Sequence, residues 1–500
     1  MAGLIHEVES GLVGLLFIIG AILLFPLIPA LIYAEYYAIV PFVVTAGIAI
    51  ILSYRLNKKY PLKDKYSLEA AVIIAPLAWL LISLIGMLPY LWLTKMAPLD
   101  ALFETMSGFT TTGMTVINRI EELPLSLLFW RSFTQWIGGI GVIVLFTLLF
   151  TGGMSTWRFY SLEGREEKFT TSIKSTIKRI WIIYSLLTAL CAFALCLCGM
   201  SPFDAINHAM TTLSTGGFST RTEGIMAFES PAIKIVLCVF MTLGAISFTL
   251  FYSLFKFDFR KIFSDSESKT LLGIIFFSGV LVASLLITLG LGILPGILDG
   301  FFNVISILTT TGYTSMDLGL WPATAKALLL ILMIIGGSAG STAGGIKVWR
   351  IVVLYRIGKR EVEKMVLPPS AVRPIKIGGR VFDEEYVMKV GSFFFIYIFA
   401  VLIQFLLLTL VVPDIVGALS LVLSAQGNVG PAFYSMSGLG SFAKLILIFG
   451  MWFGRLELFP VLALFSKGLP KALKEEYESW KQKRAGQGDV IPNETGTWKS

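Results

Sequence analysis

The chain alternates between long apolar runs and short polar segments. The runs are near the 20 or so residues that a helix needs to cross a bilayer. Two come first, near residues 12–34 and 38–54. A larger pattern then recurs four times: a long helix, a shorter apolar stretch, a polar turn, a second long helix and a basic loop. The paired long helices fall near 69–93 and 124–151, 176–199 and 231–255, 270–293 and 323–357, and 387–412 and 439–465. An outer-membrane barrel would instead show short alternating segments. The expected fold is an all-α polytopic membrane protein. It divides into two N-terminal helices with a basic loop (1–66), repeat 1 (67–175), repeat 2 (176–269), repeat 3 (270–386), repeat 4 (387–470) and a tail (471–500) that reads as largely disordered.

Each unit carries an aspartate at the start of its short middle stretch: Asp100 in "PLDALFETMSGFTTTG", Asp204 in "PFDAINHAMTTLSTGG", Asp299 in "ILDGFFNVISILTTTG" and Asp414 in "VPDIVGALSLVLSAQG". Thirteen residues on from each stands a glycine: Gly113, Gly217, Gly312 and Gly427. The spacing predicts an aspartate N-cap, then a helix too short to span a bilayer, then a glycine turn. Non-helical backbone at membrane depth is tolerated only where it lines a water-filled path or is buried in protein. The C-terminal end of each short helix would favour a nearby cation.

Composition narrows the picture. Only 14% of the residues are charged and 56% are hydrophobic, against about 25% charged in a soluble domain. The net charge of +8 matters through its placement. Lys and Arg gather near 54–66, 158–179, 256–269, 347–389 and from Lys467 onward, while the motif segments hold Asp100, Glu104, Glu121, Glu122, Glu223 and Asp317. Short basic loops stay in the cytoplasm, so the motif loops are expected to face outside a cell (inner or plasma) membrane. That rule accounts for the positive charge without nucleic acid. The first run lacks a basic leader and a cleavage site, so it reads as a retained helix. Cys191, Cys196, Cys198 and Cys238 lie in apolar runs, and His6 and His208 are too few for a metal cluster.

The turns have a chemistry. Backbone carbonyls in a ring can replace the water around a potassium ion, and glycine supplies the φ > 0 that such a backbone needs. Oxygen ligands without fixed charge suit a weakly hydrated monovalent cation, whereas a divalent site would want carboxylates. "TTTGM", "STGGF", "TTTGY" and "QGNVG" therefore read as four walls of one selectivity filter around a central pore. The motifs are shorter than "TVGYG", so potassium and sodium should be separated less sharply.

This pattern resembles the TrkH/KtrB superfamily of potassium transporters, its TrkH branch most, over essentially the whole chain. "FWRSFTQWIGGIGVIV", "GGSAGSTAGGIKVWR", "SAQGNVGPAF" and "FGRLELFPV" carry the likeness. The resemblance implies filter residues Thr111, Thr112 and Gly113; Thr215, Gly216 and Gly217; and Thr310, Thr311 and Gly312. For the fourth strand it favours Asn428, Val429 and Gly430 over the equal-spacing choice of Gly427. It also implies K+ as the transported ion, no organic cofactor, a homodimer with one pore per chain, and a separate cytosolic nucleotide-binding subunit of the TrkA type.

Gly336, Gly337, Gly340, Gly344 and Gly345 break the second helix of repeat 3, and 336–345 reads as an intramembrane gate below the filter. Close helix packing is the alternative use of those glycines. A phosphate loop is excluded, because Ile346 precedes Lys347 and Val348 follows it. Charges inside the membrane are functional candidates. Arg455 reads as an electrostatic barrier below the filter or a partner of the gate. Glu457, two residues on, faces elsewhere on the helix. Lys347 and Arg350 would anchor the broken helix, and Arg131 and Gln135 would make structural contacts near the outer end. Nothing marks an enzyme. An H+- or Na+-coupled symporter working by alternating access is the alternative to a gated pore.

Overall fold

The computed structural model describes residues 2–63, 66–149, 173–248, 250–251, 265–366, 368, 374–377 and 380–466. Six helices among them are long and apolar enough to cross a membrane. The chain opens with α1 (Ala2–Ile22), α2 (Leu27–Ile32) and α3 (Tyr36–Asn57). Four times thereafter a long apolar stretch leads to a short helix with a buried face and then to a further helix or a broken pair of helices. The short helices are α6 (Pro98–Phe109), α9 (Pro202–Leu213), α12 (Ile293–Leu308) and α16 (Ile415–Gly427). Each is preceded by an apolar helix: α4 (Leu68–Gly86) with α5 (Leu88–Thr94), α8 (Ile173–Leu197), α11 (Ser266–Thr288) and α15 (Glu384–Thr409). The helices that follow are α7 (Leu125–Leu149), α10 (Pro231–Ala245), α13 (Ala323–Ile335) with α14 (Val348–Lys364), and α17 (Ser441–Arg455) with α18 (Phe459–Leu464). The expected tail, 471–500, and most of the basic stretch 158–179 lie outside the described residues.

Two helices expected to be continuous are broken, each for a local reason. The helix expected over 231–255 ends at Ala245. There the Gly244 and Ala245 carbonyls accept N–H groups from Thr342 (3.4 Å) and Ser338 (2.9 Å) of another repeat, in place of donors one turn further along. The helix expected over 439–465 stops at Arg455, with Glu457 and Leu458 both at positive φ. Leu458 N–H reaches back to Phe453 O (3.2 Å), and Pro460, which has no N–H to offer, is the second residue of the next helix.

Among the described residues the regular structure is helical apart from one small hairpin, β1 (Ile375–Ile377) against β2 (Arg380–Phe382), with Ile375 opposite Phe382. Ile375 and Ile377 point into a satellite cluster with Val353, Tyr386, Val387 and Val390. The four cysteines are free thiols.

Candidate functional site: a four-strand backbone ring

Each short helix ends in the same sequence of backbone conformations. First comes a left-handed residue: Thr111 (φ 52°), Thr215 (52°), Thr310 (56°) or Asn428 (53°). Two residues later comes a left-handed glycine: Gly113 (83°), Gly217 (75°), Gly312 (85°) or Gly430 (113°). Between them stands a residue whose N–H returns to the helix: Thr112 to Ser107 O (2.9 Å), Gly216 to Thr211 O (2.8 Å), Thr311 to Ser306 O (2.9 Å) and Val429 to Ser424 O (2.8 Å). The fourth strand is thus Asn428–Val429–Gly430, and Gly427 is the last residue of α16. Left-handed threonine is strained backbone, kept only where the surroundings over-determine it.

The four strands close on one another. A Cβ built on Gly113 would lie 2.1 Å from Gly216 O; on Gly217, 1.9 Å from Thr311 O; on Gly312, 1.9 Å from Val429 O; on Gly430, 2.7 Å from Thr112 O. Each glycine abuts the carbonyl that precedes the glycine of the next strand, and the fourth returns to the first. Only a residue without a Cβ permits that approach at all four corners. Thr111, Thr112, Thr215, Thr310, Thr311 and Asn428 are almost wholly buried in the protein. The Asn428 amide donates to Thr112 Oγ1 (3.0 Å) and to Met451 O (2.9 Å).

The four aspartates do not share the capping role expected of them. Only Asp414 caps its helix, accepting Val416 N–H at 3.1 Å. Ala97, Ser201 and Gly292 hold the N-cap positions of the others. Pro98 and Pro202 start two of those helices and shift the cap upstream of the aspartate. Asp100 pairs with Lys444 (2.5 Å), Asp299 with Lys234 (2.6 Å), and Asp204 with Arg221 (2.9 Å). Asp204 also accepts from Thr220 (2.6 Å) and Ser201 (2.9 Å).

Below the ring, residues 336–347 link α13 to α14 as a tightly packed, mostly buried loop. Its five glycines, expected either to form a gate or to serve close packing, differ in what they meet. Gly336 leaves the helix at φ 77°, and a Cβ there would strike Gly344 O at 2.2 Å. Gly337 is not among the positive-φ residues. It is buried, with a Cβ position 2.5 Å from Ala343 Cβ and 3.2 Å from Ala245 O, and its carbonyl accepts Val348 N–H at 2.9 Å. Gly337 thus serves close packing, the alternative use of these glycines, and fixes the start of α14. Gly340 marks the outermost bend, half-buried and at φ 70°, and its carbonyl accepts Phe248 N–H at 3.0 Å. It therefore ties the loop to the end of repeat 2 rather than lying against the ring. Gly344 and Gly345 are the glycines that meet the fourth strand's helix, since a Cβ on Gly344 would lie 2.2 Å from Gly427 O and Gly345 N–H donates to the same oxygen at 3.0 Å.

The loop is tied to the foot of the ring at two further strands. Gly344 N–H donates to Thr310 Oγ1 (2.7 Å), and the Thr342 and Thr215 hydroxyls lie 3.3 Å apart. Thr342 Oγ1 also reaches Leu213 O (2.9 Å) and Gly244 O (3.0 Å). Arg455 donates to Thr342 O (2.8 Å) and to Gly138 O (2.8 Å) and Gly139 O (3.2 Å), so it joins the loop to α7. Lys347 turns back to Ala343 O. Glu457 pairs with Arg350 (2.5 Å), whose guanidinium also stacks over Phe393 (4.2 Å).

A family model for TrkH, a cation transport protein, matches residues 41–294 and 295–477. The chain belongs to the TrkH family. It is 35% identical over 422 residues to the Trk system potassium uptake protein TrkH of Escherichia coli K12, covering 81% of this chain and 87% of that one. It is 32% identical over 484 residues to an uncharacterized cation transporter of Methanocaldococcus jannaschii, covering 94% and 99%. The crystal structure of the potassium transporter TrkH from Vibrio parahaemolyticus superposes with a TM-score of 0.85 at 33% identity, covering 93% of this chain and 99% of that one.

Three buried residues of this TrkH-family chain have partners that the linear sequence does not show. Glu104 looked like one outer acid among several. It is fully buried, accepts Val116 N–H (2.6 Å) and Thr115 Oγ1 (2.7 Å), and pairs with buried Arg131 (3.3 Å). Glu267, near the start of α11, is buried and accepts the loop's Ala339 N–H (2.6 Å) and Trp349 N–H (3.2 Å). "SDSES" shows only helix-starting residues, so nothing in it marks Glu267 out. Gln135, expected in a structural contact, makes one by donating to Gly216 O at 2.7 Å. Its signal was "TGG" in strand 2, where strands 1 and 3 carry "TTG". Among the described residues no three His, Cys, Asp or Glu side chains gather as a metal site.

Proposed function

We propose that the chain takes up potassium across the cell membrane through a gated pore, as the membrane subunit of a Trk-type system. The observation that carries this reading is the closed ring of four glycine-bearing strands. Four carbonyls, from Thr112, Gly216, Thr311 and Val429, are drawn together with no carboxylate among the strand residues. Uncharged oxygens of this kind suit a monovalent cation that has shed its water. The four short helices end at the ring, and their C-terminal ends favour positive charge there. Relatives in Escherichia coli and Vibrio parahaemolyticus bear the name of potassium transporters.

The gate in this reading is the loop 336–347. It lies against the feet of the strands and has attachments to Arg455, Glu267 and Thr310. Gly336, Gly340 and Gly345, its three positive-φ glycines, are the points at which its backbone can change course without moving either flanking helix. The pore works in a homodimer, with the motif loops outside and a cytosolic nucleotide-binding subunit of the TrkA type acting on the inner face. The relatives' place in a named Trk system supports the idea of further subunits. Rocking of one half against the other, as alternating access needs, would part the ring at two of its corners, so the pore is preferred to the symporter.

The test is radiolabelled rubidium uptake into liposomes holding the purified chain, with potassium or sodium trapped inside. Uptake that follows the potassium gradient and is lost in Gly113→Ala and Gly312→Ala supports the pore. Flux that ignores the imposed voltage and both substitutions overturns it.

A further inference from the structure

The strands of the ring are alike in backbone but not in side chains. At the position before the closing glycine, strands 1, 3 and 4 carry Thr112, Thr311 and Val429, whereas strand 2 carries Gly216. The backbone does not demand a glycine there, since Gly216 is not among the positive-φ residues. Space does. A Cβ on Gly216 would fall 2.4 Å from Gln135 Cδ and 2.5 Å from its Oε1. Gln135 belongs to α7 of repeat 1, so one repeat fills with its own side chain a place that its neighbour leaves empty.

The orientation of the amide follows from its partners. Phe218 N–H can only donate, and it meets Oε1 at 3.0 Å. The other end is therefore the NH2, and it donates to Gly216 O at 2.7 Å. Gly216 O is also the carbonyl against which Gly113 closes. Gln135 is fully buried. One turn away on the same helix, Arg131 braces the next residues, donating to Ser219 O (3.2 Å) with its guanidinium over the Phe218 ring (4.1 Å). Ser219 in turn meets His208 Nε2 at 3.0 Å.

We infer that Gln135 is a selectivity-determining positioning residue: its amide fixes the Gly216 carbonyl and so sets how the ring distinguishes potassium from smaller cations. The inference rests on the filter reading above. A carbonyl that already holds a donor cannot swing freely toward a smaller ion, and part of its negative charge is already engaged. Freed of the amide, that corner becomes more deformable and fits sodium more readily.

The experiment uses the full chain in liposomes and compares the uptake of radiolabelled rubidium with that of radiolabelled sodium. Gln135→Leu keeps the bulk and removes both polar ends. The rubidium-to-sodium ratio is expected to fall about fivefold, the worth of one buried hydrogen bond, with rubidium flux still present. A second pair guards against a variant that does not fold. Gly216→Ala alone is expected to lose flux because it collides with the amide, and Gly216→Ala with Gln135→Ala is expected to recover flux with a lowered ratio. An unchanged ratio in Gln135→Leu, or Gly216→Ala faring equally with and without Gln135, overturns the inference. Gly312→Ala runs alongside. If it alters flux or ratio while Gln135→Leu does not, only this inference fails. If neither changes anything, the filter reading fails with it.

Discussion

Lys444 Nζ lies 2.5 Å from Asp100 Oδ1, although 344 residues separate them. Lys234 stands in the same relation to Asp299 at 2.6 Å. Each lysine is the fourth residue of its helix, α17 or α10, and each reaches the short helix of the following repeat, with repeat 1 following repeat 4. Lys326, fourth in α13, does otherwise: it donates to Gly319 O (2.6 Å) and lies over the Phe433 ring (5.8 Å). Two opposite gaps between repeats are therefore pinned by ion pairs. Replacing Lys444 by Met should leave Asp100 without its partner at a half-buried site and cost about 1–3 kcal/mol of stability. Thermal unfolding in detergent measures this, and the exchange Asp100→Lys with Lys444→Asp should recover part of the loss.

The loop 336–347 is held at its carbonyl side by Arg455 and at its N–H side by Glu267. Arg455→Gln keeps a donor but not the reach to both Thr342 and α7. Glu267→Gln keeps one acceptor and loses the charge. Each should raise rubidium flux through the chain alone by roughly tenfold or more, the worth of one charge-assisted hydrogen bond. Equal flux in wild type and both variants would show that the loop is no barrier.

Small residues behind the ring are as constrained as those in it. A Cβ on Gly454 would lie 1.9 Å from Gln426 O, and one on Gly138 2.2 Å from Phe109 O. Gly454→Ala should cost about 1–3 kcal/mol through forced backbone shifts. Gly358→Ala is the control, because nothing stands within 4 Å of its Cβ position. Melting curves of the two variants in the same detergent check the contrast.

In the loop between α6 and α7, Glu121 accepts Thr222 N–H at 2.7 Å and is bonded to the Thr222 hydroxyl. Burial pushes its carboxyl pKa up, but the two Thr222 bonds and nearby Arg221 outweigh that and hold it below the usual value. A lowered folded pKa stabilises above the unfolded value of about 4.3, and the contribution disappears as pH falls through the folded value. The difference in melting temperature between wild type and Glu121→Gln should thus be present at neutral pH and vanish in acid.

The sequence made the order of elements legible, because apolar length and glycine placement are local properties. Equal spacing from Asp414 pointed to Gly427, whereas the backbone repeats at Gly430. The helix in repeat 4 simply runs further before the turn, and only the recurring left-handed pair and the returning N–H reveal the register. The aspartates were found, but the capping role holds for Asp414 alone of the four. A cap is a contact within a few residues, and the partners of Asp100 and Asp299 lie in other repeats. The five glycines of the loop looked interchangeable in the sequence, yet Gly337 packs against Ala343 while Gly340 turns the chain toward Phe248. The breaks after Ala245 and Arg455 were also missed. The donors that end α10 come from 93 and 98 residues away, as Ser338 and Thr342 meet Ala245 and Gly244. Gln135 and Glu267 act through tertiary neighbours: the extra glycine of "TGG" marks a filled place in strand 2 without naming Gln135 as its occupant, and no linear pattern marks Glu267.

The corner between Gly430 and Thr112 joins the last strand of the ring to the first. That corner cannot exist until almost the whole chain has been made. A ribosome that stalls in the third repeat leaves three strands and an open arc, with no fourth carbonyl to complete the set. Encoding four subunits in one polypeptide thus gives the cell an all-or-nothing product, in which unfinished chains lack the completed ring. It also lets each strand acquire its own sequence, a freedom that four identical chains around an axis would never have.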